Sequence, residues 1–274
     1  TTERGREVIK EAMDIYAGSG LCKGENNMLE KFYKNAPIGI TVEGSNVLTK
    51  NLIIFGQGLN KSHPHISPIL NAIDEDNIDD FFKYFTNIVK HSVSLYSKSV
   101  FAAFFNNNSL DKQTLYFACL SNFVALKGGA IKREQSISAD MATIMGNLYL
   151  AHCVKIYNEH MQISENLTTI VIQRLLNENI DIFNRVLYNL NYYPILNHMY
   201  QSKKESYKLN ENLIKELKSN DMIMKDLMQN MYLDEAIQNM LELDKMHSKS
   251  QNYADLYQKI ISVGEYTIDN KKFC

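Results

Sequence analysis

Apolar residues recur along this chain at intervals of three and four and rarely alternate at two, which predicts helices on a shared core and not strands. Val8, Ile9, Ala12, Met13, Ile15 and Tyr16 form the first such face, which Gly18-Ser19-Gly20 should end. A loop around Cys22–Asn27 leads to a short amphipathic piece, Met28–Tyr33, stopped before Pro37. Ser45 or Gly44 can cap a helix over Asn46–Phe55, with Gly56-Gln57-Gly58 as its stop. Ser62-His63-Pro64-His65-Ile66-Ser67-Pro68 then reads as a linker and as the main boundary. Beyond it the pattern predicts helices near 75–105, 111–128, 136–162, 163–191 and 209–246, with a shorter one near 251–262. Asn106-Asn107-Asn108-Ser109 is a loop that carries a capping residue, and the expected fold class is all-α.

Composition adds limits. Of 274 residues, 45% are hydrophobic and 22% charged, enough for a sizeable core under an ordinary polar surface. A net charge of −2 argues against a nucleic-acid binder, which would carry a basic excess. Cys22, Cys119, Cys153 and Cys274 are widely spaced with no CxxC pair, so they read as reduced thiols of an intracellular protein. No apolar run approaches the roughly 20 residues of a membrane span. The chain opens directly into helical periodicity without a secretion signal, which suggests that it is cut from a longer polypeptide.

Candidate chemistry centres on Glu43. Ile38, Ile40 and Val42 flank it on one side, and Gly44-Ser45 opens a helix on the other. Apolar surroundings raise a carboxylate's pKa and make it a stronger base. Gly44 would let backbone approach a ligand closely, and Ser45 with the following N–H groups could meet an anionic group. On the residues alone, an ordinary carboxylate near a helix entry is the favoured reading of Glu43 over a catalytic one.

The longer pattern resembles acyl-CoA dehydrogenases. Residues 37–58, Pro-Ile-Gly-Ile-Thr-Val-Glu-Gly-Ser-Asn-Val-Leu-Thr-Lys-Asn-Leu-Ile-Ile-Phe-Gly-Gln-Gly, are similar to the catalytic segment of the long bacterial type. Ala12-Met13-Asp14-Ile15-Tyr16-Ala17-Gly18-Ser19-Gly20 looks like the family's helix-to-glycine turn, which reaches toward a flavin dinucleotide bound by a neighbouring subunit. Leu29–Ala36 is similar to the segment that leads into the catalytic loop. The resemblance implies Glu43 as the base that takes the α proton, Gly44 against the acyl-CoA, and Asp14, Ala17, Gly18, Ser45, Asn46 and Val47 near FAD. Many members carry Gln at the position of Asp14, a Gly-Gly pair at Ala17-Gly18, and Thr at Ser45.

A second resemblance covers Leu126–Glu134, Ile137–Asp140 and Leu148–Leu150, similar to the appended helical domain of the long-chain type; the two together cover roughly residues 1–190. The domain expectation is therefore 1–62 as the truncated end of the catalytic helical bundle and 69–274 as the added domain. Gly128-Gly129 reads as a helix break. By resemblance the protein oxidises medium- or long-chain acyl-CoA to trans-2-enoyl-CoA in fatty-acid β-oxidation, passes electrons to an electron-transfer flavoprotein, forms a homodimer, and works in the cytoplasm. The competing reading is a non-catalytic helical module for dimerisation or for peripheral attachment to the inner-membrane surface. Because the family's flavin and substrate sites also draw on upstream helices and a β domain, residues 1–274 alone should not retain FAD.

Other features read as structure. His63 and His65 straddle Pro64 with no nearby ligand pattern, so a linker is favoured over a metal pair. The remaining histidines show no nucleophile–base signature. Met222, Met224, Met228 and Met231 read as core packing rather than as a lipid- or partner-facing row.

Overall fold

The computed structural model describes residues 1–23, 27, 29–42, 45–191, 193–229, 231 and 235–248. It is all-α, with no strand among the described residues. Two compact units divide the chain: Thr1–Ser45 with the segment from Met228 onward, and Asn46–Leu227.

The first unit opens with α1 (Thr2–Tyr16), followed by α2 (Gly18–Leu21), α3 (Glu30–Asn35) and α4 (Ile38–Thr41), which fold back against α1. None of α1, α3 or α4 buries a residue. The predicted stop of α1 is displaced: the chain breaks at Ala17, with φ 48° and ψ −127°, and the glycines lie inside α2. Gly20 is glycine for a steric reason, since a Cβ there would sit 2.8 Å from the Met13 carbonyl oxygen.

The second unit begins with α5 (Asn46–Leu48), a π-helical stretch Thr49–Gln57 and α6 (Gly58–Ser62). The expected stop at Gly56-Gln57-Gly58 is thus not a stop. The helix widens there instead, and a side-chain carbon at Gly56 would lie 3.2 Å from the Asn51 carbonyl oxygen, so glycine permits the π turn. Phe55, on this stretch, is buried and joins the same core as residues beyond 100. The compact unit therefore runs through the Ser62–Pro68 segment expected as a linker, which is only a break at His63–His65 before α7 (Ile66–Asp74).

Four long helices carry the core: α8 (Ile78–Phe105), α9 (Ser109–Ala125), α10 (Gln135–Met161) and α11 (Glu165–Leu190). Each begins or ends on a residue suited to the task. Asn77, Asn108 and Ser164 accept backbone N–H groups at the starts of α8, α9 and α11. Gln162 and Asn191 take the left-handed conformation that ends α10 and α11. Between α9 and α10 a 3-10 turn at Gly128–Lys132 opens on Gly128 at φ 54°, the helix break the sequence predicts. Ile137, Met141, Ile144, Leu148 and Ala151 of α10 are buried at alternating steps of four and three, as are Leu176, Ile180, Phe183, Leu187 and Leu190 of α11. Over residues 137–151 and 176–190 this repeat turns one face of each helix toward the other.

Short elements follow: α12 (Tyr193–Leu196), a 3-10 turn at Asn197–Met199, α13 (Tyr207–Ser219) and α14 (Asp221–Met228). Within the first unit, α15 (Glu235–Ser248) comes last. The single helix expected over 209–246 is thus three. Asn220 breaks the first junction with extended backbone, its side chain accepting the Met222 N–H at 3.1 Å. Ile223 is the buried residue of α14, whereas Met222, Met224 and Met231 are exposed, so the methionine row is not core. The helix expected near 251–262 lies outside the described residues.

Candidate functional site

The turn that the resemblance assigns to the flavin is built locally. Ala17 donates its N–H to the Asp14 carbonyl at 3.3 Å, and the Gly20 N–H bonds back to the Ala17 carbonyl at 3.0 Å. Asp14, Ala17 and Gly18 are brought together there, all exposed. Nothing lies within 4 Å of where a side chain would begin at Gly18, so the turn is open to an approaching group. Ser45 and Asn46 are half-buried and Val47 is exposed; Ser45 ends the first unit and Asn46 opens the second. The open turn at Asp14, Ala17 and Gly18 fits contact with one edge of a flavin dinucleotide, not its enclosure.

Glu43 and Gly44 lie outside the described residues. Their flank is described, and it differs from expectation. Ile38 and Val42 are 54% and 57% exposed, so these two side chains do not themselves desolvate a neighbouring carboxylate.

One organising residue escapes the sequence reading. Asn27 donates through Nδ2 to the Gly20 and Cys22 carbonyls at 2.7 and 3.0 Å, while its Oδ1 accepts the Leu29 and Glu30 N–H groups. It ties the glycine turn to the start of α3. An asparagine just ahead of a predicted helix is the signal that could have revealed it.

Elsewhere the fold makes pairs that spacing hides. Ser99 Oγ and His198 Nε2 are 2.8 Å apart, and Thr114 Oγ1 and His152 Nε2 are 3.0 Å apart. Ser99 is wholly buried and its hydroxyl also donates to the Tyr96 carbonyl at 2.7 Å. With Tyr116 donating to the His198 carbonyl at 3.1 Å, this knot fastens the Asn197–Met199 turn to α8 and α9. Burial pushes the Tyr116 hydroxyl up to about 12, moves the Cys119 thiol up and holds His198 below its ordinary value.

His63, His65 and His91 form a cluster with ring centres 5.3 to 6.0 Å apart. Burial, then His91 and His65, lower the pKa of His63. His63 Nδ1 accepts the His65 N–H at 3.2 Å. A metal on its other nitrogen would require the proton to occupy that accepting position. Among the described residues no group of three or more His, Cys, Asp or Glu side chains is arranged to hold a metal, and no helix is long and apolar enough to cross a membrane. Cys22, Cys119 and Cys153 are free thiols.

The fold is an all-α domain raised on long paired helices, with a turn and loop of distinctive chemistry ahead of it. Residues 60–272 match the family model described as acyl-CoA dehydrogenase, C-terminal, bacterial type, and the chain belongs to that family. No solved structure matches it.

Proposed function

We propose that this chain serves a flavin-dependent acyl-CoA dehydrogenase that converts medium- or long-chain acyl-CoA to trans-2-enoyl-CoA in fatty-acid β-oxidation, with Glu43 as the base. The observation that carries this reading is one of order: a segment resembling the family's catalytic loop, residues 37–58, stands directly ahead of the span, 60–272, that matches the family's bacterial C-terminal domain. Glu43 would take the proton from the carbon next to the thioester carbonyl, and Gly44 would let the acyl-CoA lie close to the backbone. The flavin, when bound, accepts a hydride from the β carbon. Asp14, Ala17 and Gly18 on their open turn would touch one edge of the FAD, and Ser45, Asn46 and Val47 would lie near it. An electron-transfer flavoprotein is the proposed acceptor and the cytoplasm the proposed compartment.

The exposed flank at Ile38 and Val42 bears on this reading. A carboxylate there becomes a strong base only when substrate or further protein excludes water from it. The test is turnover in the flavoprotein that carries this sequence. Glu43→Gln should abolish acyl-CoA oxidation while flavin content stays unchanged; near-normal turnover sinks the assignment. Residues 1–274 by themselves should purify without FAD, and a yellow preparation would count against that part.

A second reading, association through the helical domain, is favoured by one feature. Ile78, Phe82, Phe85, Val89 and Val93 form an exposed apolar stripe along α8. A stripe of this kind suits a partner helix, and homodimerisation is the form we propose. Phe82→Glu with Phe85→Glu should shift sedimentation to the monomer, and an unchanged sedimentation coefficient would remove the proposal. Binding to anionic vesicles by the same domain would instead point to the peripheral membrane alternative.

A further inference from the structure

We propose that the cleft between α9, α10, α11 and the 200–204 segment is a binding site for a phosphorylated small molecule. Its volume is about 550 Å³, within the usual range of small-ligand sites. The floor is partly apolar, from Leu110, Ile172, Leu176 and Ile180, and can take the body of an organic ligand.

The polar part of the lining is one-sided. Lys112 of α9, Lys155 of α10 and Lys204 of the loop all line the cleft, and no carboxylate does. In a chain with 31 acidic and 29 basic residues, that is a local excess of positive charge walled by low-dielectric surface, which concentrates anions. Lys155 makes only a long ion pair with Glu159, at 4.0 Å, and Lys112 and Lys204 make none among the described residues. Gln201, also on the wall, holds a buried Nε2 with no hydrogen-bond partner. A buried donor without an acceptor is destabilising, and a ligand oxygen that reaches it would relieve that cost.

The walls are held in place rather than loosely draped. Asn177 clasps the Lys204 backbone, accepting its N–H at 3.1 Å and donating to its carbonyl at 2.7 Å, and Gln173 donates to the same carbonyl at 2.5 Å. Below, the buried Gln113 donates to the Leu176 carbonyl at 3.0 Å and accepts from Asn179 at 3.2 Å. Ammonium groups and an amide N–H, with no carboxylate in the lining of the cleft, match a phosphate, which offers several acceptor oxygens. The size of the cleft and the net charge of −2 favour a small molecule over a nucleic acid.

The experiment is titration of the chain, by two-dimensional NMR with side-chain amides observed, with adenosine 5′-monophosphate and glucose 6-phosphate. Adenosine, glucose and inorganic phosphate serve as controls. At least one phosphorylated probe should bind and shift the Gln113 and Gln201 amide signals, with its unphosphorylated counterpart weaker by about tenfold or more. Competition by inorganic phosphate would show that the phosphate is the recognised group. The triple exchange Lys112→Glu, Lys155→Glu and Lys204→Glu should weaken binding by about a hundredfold with the circular dichroism spectrum unchanged. Should that triple variant fail to fold, Gln201→Leu should weaken binding on its own. Neither phosphorylated probe binding the folded chain, or equal binding of the unphosphorylated pair, overturns the proposal. None of these readouts involves acyl-CoA oxidation, so they stand or fall apart from Glu43.

Discussion

Residues 1–45 and residues 46–227 are helical for different reasons. In the first region α1 buries nothing, and Val8, Ile15 and Leu21 are exposed. Its shape rests on backbone geometry at Ala17, on the close approach at Gly20 and on the four hydrogen bonds of Asn27. In the second, two long helices bury matched faces and a hydrogen-bonded amide chain runs through the core. Asn147 donates to Asn179 at 3.0 Å, Asn179 to Gln113, and Gln113 to the Leu176 backbone. The lesson is that the segment with the candidate catalytic chemistry is the one with the least packing of its own. Isolated helices of its length gain little stability without a buried face. Its apolar residues therefore await a cover, and the region should be prone to association until it has one.

That contrast can be broken most forcefully in the core. Phe183 is fully buried, and Phe183→Ala should lower the unfolding free energy of the 46–227 unit by about 3–5 kcal/mol. Ile15→Ala, on the exposed face of α1, should stay within about 0.5 kcal/mol. Urea titrations of both variants check the pair, and equal effects would erase the distinction. Next in size, Asn179→Ala strands its partners in the amide chain and should cost about 2 kcal/mol or more in the same titration.

The first region should respond to backbone changes instead. Ala17 holds φ 48° and ψ −127°, a conformation in which a Cβ is strained. Ala17→Gly should therefore stabilise the α1–α2 turn by about 1 kcal/mol, seen as slower amide exchange at Gly20, with no change in residues 46–227. By the resemblance, many family members carry a glycine pair at Ala17-Gly18, and glycine holds this positive φ without the strain.

The smallest effect is on pH. Folding lowers the pKa of His198 and His63 below the ordinary 6.5, mainly through burial. Below 6.5 the unfolded chain takes up protons that these folded histidines refuse, so their stabilising contribution is complete above that value and declines as pH falls toward the folded pKa. The melting temperature should drop on acidification, and His198→Gln should flatten the drop. A profile unaffected by that substitution would show that His198 is not responsible.

Much of the second region was legible in the sequence because a core imposes periodicity. The extents of α8 to α11, the Asn108 cap and the break at Gly128 all follow from apolar spacing and local turn chemistry. Where backbone decides, the sequence is silent. The glycines at 56 and 58 read as a stop, yet Gly56 admits a π-helical widening, and the break after α1 falls on an alanine instead of on the glycines beside it. Asn220 split a long amphipathic pattern because its side chain prefers to cap α14. The amide chain and the Ser99–His198 contact join residues far apart in sequence, a proximity that only the packed helices create. The candidate site was legible by resemblance alone, since Val-Glu-Gly is too short to specify a base.

Removal of the α proton is the role proposed for Glu43. The direct measurement is solvent-deuterium incorporation at the α carbon of acyl-CoA bound to the flavoprotein, with Glu43 intact and with Glu43→Gln. If Glu43 is the base, exchange occurs with Glu43 intact and is lost in the variant while flavin remains bound. Equal exchange in the two proteins would contradict it.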